Sequence, residues 1–364
     1  TAFSSKGAST VAGGNSNGNA LNQLHNPYGV AVDSSGNVYV ADHSNARIMK
    51  WAPGATEGVS IISGNINPWG IHVDDSGNIY VSDHNRHRVL KYTLSAGSYT
   101  QSVVAGDSGG SSGSALNRLN YPTGIHVDGS NIYIADTNNH RVLKWPEGAS
   151  QGVVVAGGNN NGTALNQLSS PRGVTVDSLE NVYVADSDGN RIIKWAPNSN
   201  QGVDMFGYFQ QPRGIKLDSK DNFYVSYYYN QTVEKFQPQL DGTYLRISLS
   251  SDFNNGSLNR PAGIYIDKFD NVYVADRSNH RIEKLQQSPE IVIVAGSTTG
   301  EITFKSISDI SYEDNETIII TPSTSTENAT STITDVKTLT ITDDDTASSL
   351  LFSFSSPSID ENSS

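Results

Sequence analysis

A motif that occurs six times dominates this sequence. The copies begin at Pro27, Pro68, Pro122, Pro171, Pro212 and Pro261, so they are spaced 41, 54, 49, 41 and 49 residues apart. In the first copy, three β-prone runs are separated by two turns, and an apolar fourth run follows most copies. Four short antiparallel strands at this period are typical of a propeller blade. Because such a sheet has apolar residues on both faces, each blade must pack between two neighbours, which favours a closed ring.

Three segments of the repeat are specific enough to resemble a known family. They are Pro-x-Gly-[Val/Ile]-x-Val-Asp, Asn-[Val/Ile]-Tyr-Val-Ala-Asp and Asn-His-Arg-[Ile/Val]. Together they resemble the NHL repeat over residues 9–297. The resemblance implies an all-β fold, a six-bladed β-propeller of four-stranded antiparallel blades, preceded by a lead at 1–8.

The sequence offers one more outer strand than six blades require. Ser9–Gly13 matches a fourth strand without three strands before it, and Ile291–Ala295 supplies a fourth strand to the sixth copy. Seven outer strands then serve six blades, so one must be displaced or used elsewhere. Inserts such as Ala20–Leu24 carry leucines three residues apart, which predicts one helical turn that caps the core.

The composition changes after Gly296 to Ser/Thr-rich and acidic. Residues 298–346 resemble the second half of a Calx-beta module, and residues 347–364 resemble the opening strands of a further module or a strand for exchange. The resemblance implies calcium as a cofactor, held by carboxylate oxygens. The equal alternative is that the acidic ending is a solvated turn. The residues implied as calcium ligands are Glu313, Asp314, Asp343, Asp344 and Asp345.

Charge and composition limit the partners. From Glu301 onward there are twelve Asp/Glu against two Lys/Arg, a net of −10, so the preceding part carries −3 of the total of −13. A near-neutral propeller with an acidic tail argues against nucleic acid as a partner, and no apolar run reaches eighteen residues, which argues against membrane insertion. The chain has no cysteine. Six N-glycosylation sequons favour an extracellular, secreted protein: Asn161, Asn230, Asn255, Asn315, Asn328 and Asn362.

An aspartate and an arginine five residues later recur in five of the six copies. In the fifth copy Tyr227 and Thr232 stand in their places. A carboxylate and a guanidinium that pair with each other are expected to be replaced together, since removal of one partner leaves the charge of the other unpaired. We therefore predict structural pairs, with the turn histidines His87, His140 and His280 as part of the same scaffold. The predicted pairs are Asp42 with Arg47, Asp83 with Arg88, Asp136 with Arg141, Asp186 with Arg191, and Asp276 with Arg281.

The variable residue of Pro-x-Gly is predicted to lie at the mouth of the central channel. Around the ring it is Tyr28, Trp69, Thr123, Arg172, Arg213 and Ala262. Tyr28, Trp69, Arg172 and Arg213 are candidates to bind a glycan or a carboxylate-bearing ligand. The alternative is that they only face solvent or pack.

A second inner-strand position carries the only candidates for a channel metal. It is occupied in turn by Ala31, His72, His126, Thr175, Lys216 and Tyr265. His72 and His126 are on adjacent blades, but a catalytic zinc normally has three protein ligands and this position offers no third histidine. Amidating lyases and sugar lactonases use similar propellers, yet no set of nucleophile, base and metal ligands is visible, so no catalytic residue is predicted.

The sequence thus predicts a non-enzymatic extracellular structural or adhesive protein. Its incomplete carboxyl-terminal sandwich and surplus outer strand predict self-association by strand exchange, either as a homo-oligomer or as a filament. The alternative is a propeller that binds a ligand, such as a glycan, at the channel mouth, or a metalloenzyme similar to the amidating lyases and lactonases.

Overall fold

Six four-stranded antiparallel sheets follow one another along most of the chain. The computed structural model describes residues 8–205, 210–239, 241–253, 257–286, 316–320 and 337–341. It divides into two units, Thr1–Ser288 and Pro289–Ser364. The sheets form the blades of an all-β six-bladed propeller in the first unit, which confirms the predicted propeller of four-stranded antiparallel blades.

Each blade runs from an inner strand near the axis to an outer edge strand. The strands are β2 (Pro27–Val32), β3 (Val38–Asp42), β4 (Arg47–Trp51) and β5 (Val59–Ser63) in blade one; β6 (Pro68–Val73), β7 (Ile79–Asp83), β8 (Arg88–Ser95) and β9 (Ser98–Gly106) in blade two; β10 (Pro122–Asp128), β11 (Asn131–Asp136), β12 (Arg141–Pro146) and β13 (Val153–Gly157) in blade three; β14 (Pro171–Val176), β15 (Val182–Asp186), β16 (Arg191–Trp195) and β17 (Val203–Asp204) in blade four; β18 (Pro212–Leu217), β19 (Phe223–Tyr227), β20 (Thr232–Pro238) and β21 (Tyr244–Ser248) in blade five; and β22 (Pro261–Ile266), β23 (Val272–Asp276), β24 (Arg281–Leu285) and β1 (Ala8–Gly13) in blade six. Short 3-10 turns lie at His43–Asn45, His84–Arg86, Thr137–Asn139, Ser250–Asp252 and Arg277–Asn279.

The amino-terminal strand closes the ring. β1 pairs antiparallel with β24, with Ala8 opposite Leu285 and Gly13 opposite Arg281. Of the two candidate outer strands for blade six, β1 therefore occupies the edge, whereas Ile291–Ala295 lies outside the described residues. Closure by β1 joins the two ends of the ring through backbone hydrogen bonds.

The core is a set of apolar layers between neighbouring blades. Trp51, Trp145 and Trp195 lie at or one residue before the end of the third strands of three blades and are fully buried. The inserts differ from the predicted helical turn. Gln23 N donates to the Ala20 carbonyl oxygen at 3.1 Å, which makes a single hydrogen-bonded turn. Of its two leucines only Leu24 enters the core, while Leu21 is 47% exposed.

The inner strands approach one another so closely that each needs a glycine. A Cβ atom added at Gly29 would overlap the carbonyl oxygen of Trp69 on the next blade, and one at Gly263 would overlap that of Tyr28. The same relation holds for Gly70, Gly124, Gly173 and Gly214. The glycine of Pro-x-Gly is thus required by close backbone approach around the axis. It sets the side chain of the variable residue at the rim of the channel.

The second unit is described only as an antiparallel pair, β25 (Glu316–Ile320) and β26 (Lys337–Ile341). The predicted boundary after residue 297, the remaining strands of a sandwich and the residues 347–364 lie outside the described residues. In the part of the chain that the structure describes, no helix is long and apolar enough to cross a membrane.

Candidate functional site

The structure places each of the five Asp–Arg pairs in direct contact at the turn between the second and third strands. The distances from Arg Nε to Asp Oδ2 are 2.7 Å in blade one, 3.0 Å in blade two, 2.7 Å in blade three, 2.9 Å in blade four and 2.8 Å in blade six. All five aspartates are completely buried. A buried charge of this kind is tolerated only when it is paired and hydrogen-bonded.

Backbone groups of the connectors between blades add hydrogen bonds to these pairs. In blade one Asp42 accepts a hydrogen bond from the His25 N–H at 2.7 Å, and Arg47 donates to the carbonyl oxygens of Asn19, Ala20 and Gln23. Burial nevertheless raises the pKa of Asp186 to about 6. The pairs hold the connectors against the blades. No residue of these pairs lines the central cavity.

The turn histidines act in the same scaffold. Each has a positive φ of 50° to 56°, and its Nδ1 accepts a backbone N–H from the start of the following blade. His87 accepts from Tyr121 at 3.0 Å, His140 from Ser170 at 3.1 Å and His280 from Asn26 at 3.1 Å. These bonds connect blade two to three, three to four, and six to one.

Blade five replaces the pair with a different one. Tyr227 occupies the aspartate position and is fully buried. One strand further out, Arg246 on β21 donates to both carboxylate oxygens of Glu234 on β20, at 2.6 and 2.7 Å. The guanidinium of this pair is about half exposed, whereas those of the other five lie inside the turns. The ion pair of blade five therefore lies in a wetter site at the outer edge.

The first residues of the inner strands surround a small cavity on the propeller axis, with a volume of about 60 Å³. Tyr28, Trp69, Arg172 and Arg213 line it, as predicted for the channel mouth, and Ala262 lines it as well. Thr123 does not. Its hydroxyl is buried and lies 2.8 Å from the Thr137 hydroxyl and 3.0 Å from the Arg172 carbonyl oxygen.

One half of the mouth is aromatic. The rings of Tyr28 and Trp69 stack at 3.7 Å with an interplanar angle of 24°. His43 meets the edge of Tyr28 at 4.7 Å, and His84 lies 4.5 Å from Trp69. Burial lowers the pKa of His43, and it lowers the pKa of His84 to about 4. The imidazoles are thus neutral at pH 7 and extend the aromatic surface without adding charge.

The other half is cationic. Arg213 lies 3.7 Å from the Tyr228 ring, Arg277 lies 4.9 Å from the Tyr28 ring, and Arg172 lies 5.6 Å from the Trp69 ring. The Nε atoms of these three arginines are buried and have no hydrogen-bond partner within the described residues. Burial, reinforced by Arg172, lowers the pKa of Arg213 to about 10. Within the same part of the chain none of the three forms an ion pair with a carboxylate.

Four of these residues were not predicted from the sequence. His43, His84, Tyr228 and Arg277 each follow the last residue of a second strand, where the scaffold aspartate stands in five blades. Antiparallel pairing brings this position beside the start of the inner strand, so it forms a second ring around the mouth. In the sequence this position is recognisable because it varies from copy to copy, although the residue before it is an aspartate in five of six copies. The residues at this position are His43, His84, Thr137, Ser187, Tyr228 and Arg277.

Below the mouth, the second inner-strand position forms a polar layer. Burial, together with the Lys216 charge, lowers the pKa of His72 to about 4 and that of His126 well below its usual range. The Thr175 hydroxyl lies 3.4 Å from His126 Nδ1. No group of three or more His, Asp or Glu side chains that could hold a metal occurs among the described residues.

The other predicted sites lie mostly beyond the described part. Asn161 and Asn230 are exposed. The remaining sequons and the implied calcium ligands, Glu313, Asp314 and Asp343–Asp345, lie outside the described residues.

Comparison with known proteins agrees with this geometry. The NHL repeat model matches residues 24–51, 66–92, 119–145, 168–195 and 258–285. The matches fall in blades one to four and six, and the unmatched blade is the fifth, which lacks the Asp–Arg pair. The chain therefore contains an NHL-repeat six-bladed β-propeller. No curated protein matches the sequence.

Several solved structures share the fold. A protein of unknown function from Bacteroides thetaiotaomicron is 17% identical, with a TM-score of 0.62 over 76% of this chain and 74% of that one. A gluconolactonase from Xanthomonas campestris is 16% identical, with a TM-score of 0.55 over 73% and 88%. A streptogramin B lyase is 13% identical, with a TM-score of 0.52 over 76% and 96%. Identities this low establish a common fold and nothing further.

Proposed function

We propose that this protein is a binding propeller whose channel mouth holds a small carboxylate-bearing ligand, with acidic sugars as the preferred class. The observation that carries the proposal is the set of three buried guanidinium Nε atoms, on Arg172, Arg213 and Arg277, that lack an acceptor within the described residues. A buried donor without a partner costs free energy, more so when it is charged. The three side chains as a whole are only partly buried, so an anionic ligand at the mouth would neutralise a charge that no carboxylate of the described residues pairs with.

The two halves of the mouth suit the two faces of an acidic sugar. A guanidinium presents a planar fork of donors that matches a carboxylate, and the arginines are already oriented by the aromatic rings beneath them. Trp69, which is only partly buried beside the buried Tyr28, lines the mouth with aromatic carbon against which the C–H groups of a sugar can pack. A cavity of about 60 Å³ fits the acidic end of such a ligand better than a whole oligosaccharide.

Isothermal titration of the whole protein with glucuronate and with glucose tests the proposal. We expect binding of glucuronate, weakened by salt, and at least about ten-fold weaker binding of glucose, because one charge-assisted hydrogen bond is worth about 1.5 kcal/mol or more. Equal affinities for the two sugars, or no binding of either, would refute the proposal.

The second candidate is a secreted, non-enzymatic structural or adhesive protein that self-associates through its carboxyl-terminal unit. The pairing of β25 with β26 favours it, because within the described residues this sheet has two strands, and a two-stranded antiparallel sheet is marginal by itself. β1 pairs with β24 of its own chain, so the strands offered for exchange in this candidate are those of the second unit. Calcium held by Asp343–Asp345 in a Calx-beta module belongs to this candidate.

Light scattering of the full chain against a chain ending after Ser288 tests the second candidate. If this candidate is correct, the full chain should form assemblies that disappear when the second unit is removed. Calcium binding should be lost in Asp344→Asn. Equal masses for the two chains would contradict it without affecting the ligand proposal.

A further inference from the structure

A lysine amine lies in the same cavity as the mouth arginines. Lys216 lines the cavity together with Arg172 and Arg213. It follows Arg213 by three residues on the inner strand β18, so the two Cα atoms are at most about 10 Å apart along the strand. The register of β18 against β19 shifts between Pro212 and Ile215. Because both residues line the same small cavity, one small ligand can meet both side chains.

The surroundings of Lys216 do not neutralise its charge. Its polar neighbours in the layer below the mouth are His72 on β6, His126 on β10, Thr175 on β14 and Tyr265 on β22. No ion pair of Lys216 with a carboxylate occurs in the described part of the chain. Burial lowers the pKa of Lys216 to about 8. At pH 7.4 such an amine is neutral on the order of a hundred times more often than an ordinary lysine.

A desolvated lysine without a carboxylate partner, placed at the end of a ligand cavity, is chemically suited to attack a carbonyl carbon. Two other lysines differ from it in this respect. Lys91 and Lys144 form ion pairs with Glu147 and Glu180, at 2.7 and 3.0 Å. Hydrogen bonding to those partners raises the pKa of both amines.

We infer that the ligand of the mouth carries an aldehyde or ketone besides its carboxylate, and that Lys216 forms a reversible imine with that carbonyl. The inference rests on the proposed function, because the arginines must hold the carboxylate while the carbonyl reaches Lys216. The ligand class is a short 2-oxo acid or an aldehydic sugar acid. The site would hold such a ligand covalently and release it by hydrolysis.

The chemistry balances without a further reactant. Lys216 first loses a proton to solvent, and the neutral amine nitrogen adds to the carbonyl carbon to give a carbinolamine. The carbon–oxygen bond then breaks, and the oxygen leaves as water with the two remaining hydrogens of the amine. No atom is oxidised or reduced. Addition of water to the imine reverses the sequence and frees the amine.

Reductive trapping tests the inference. The whole protein is incubated with glyoxylate and sodium cyanoborohydride, and the modified lysines are mapped by mass spectrometry of peptides. We expect Lys216 to be carboxymethylated at least about ten-fold faster than Lys194, a half-buried lysine outside the cavity, because of its larger neutral fraction. Modification of Lys216 no faster than that of Lys194 would overturn the inference.

Variants separate this inference from the proposed function. Lys216→Met should abolish the fast adduct, while Lys194→Met should leave it unchanged; thermal unfolding of both checks that they are folded. Arg213→Met should slow trapping at Lys216, since the carboxylate of glyoxylate is no longer held. If wild-type protein binds glucuronate but forms no preferential adduct at Lys216, only the imine is refuted. If Lys216 reacts quickly and equally with glyoxylate and with uncharged glycolaldehyde, the carboxylate requirement, and with it the inference as stated, is refuted.

Discussion

Two sets of buried arginines occur in this propeller, and they differ in how their donors are satisfied. In the turns, Arg141 donates to Asp136 at 2.7 Å and to three carbonyl oxygens of the preceding connector. At the mouth, Arg213 stacks on a tyrosine, and its Nε has no acceptor within the described residues. An arginine side chain thus finds acceptors for its guanidinium donors in the turns, whereas at the mouth its Nε finds none within the described residues.

This difference distinguishes arginines that stabilise the fold from arginines that are able to bind a ligand. A guanidinium whose donors are all used inside the protein has no further capacity for a ligand, and its removal leaves a buried carboxylate alone. A guanidinium whose donor is buried and unused carries a standing cost, which a ligand can offset.

The largest expected effect comes from breaking a turn pair. Asp136→Ala should lower the free energy of unfolding by about 3–5 kcal/mol, because it leaves the guanidinium of Arg141 buried without its carboxylate. Urea unfolding measures this loss. Glucuronate affinity of the folded fraction should stay within two-fold, on the order of 0.4 kcal/mol; a loss of binding comparable to the loss of stability would erase the distinction between the two sets.

The next effect concerns the mouth. Arg213→Met should weaken glucuronate binding by about 10- to 100-fold, since a hydrogen bond to a charged group is worth about 1.5–3 kcal/mol. Its unfolding free energy should not fall, because the substitution removes an unpaired buried charge. Arg118→Ala, which removes an exposed arginine from a connector, is the matched control and should leave affinity nearly unchanged. Equal losses in both variants would indicate that only long-range charge matters.

A smaller effect follows from the buried histidine of the channel. The folded-state pKa of His72 is about 4, below the unfolded value near 6.5. Between these values the unfolded state binds more protons, so His72 makes the protein lose stability as the pH falls from 7 to 5, by about 2 kcal/mol. Asp186, whose pKa is raised, acts in the opposite direction. The comparison of wild type with His72→Gln at both pH values isolates the effect, and identical pH slopes would contradict it.

The smallest effect is expected in blade five. Arg246→Ala removes a guanidinium that is about half exposed but leaves the buried Glu234 carboxylate without it, so the cost should be about 1–2 kcal/mol, below that of the turn pair. The same measurement of unfolding applies as for Asp136→Ala. A cost similar to that of the turn pair would show that Glu234 and Arg246 take over the role of the missing Asp–Arg pair.

The sequence predicted much of the site, and the residues it missed have a common cause. Tyr28, Trp69, Arg172 and Arg213 were found because the repeat aligns them at one position of the inner strand. Arg277 and Tyr228 were missed although they stand beside a conspicuous motif. Their position becomes part of the mouth only when the second strand folds back along the first, which spacing within one strand does not reveal.

The repeat by itself determined the number of blades, the position of every inner strand and the partners in the five turn pairs. These depend on local periodicity and on contacts five residues apart, which a linear pattern records. Only the tertiary structure decided which strand closes the ring, since β1 and β24 pair across nearly the whole propeller. It alone also decided that three arginines from blades four, five and six meet at one mouth, with no carboxylate partner among the described residues, because that meeting depends on the curvature of the closed ring and on no distance along the chain.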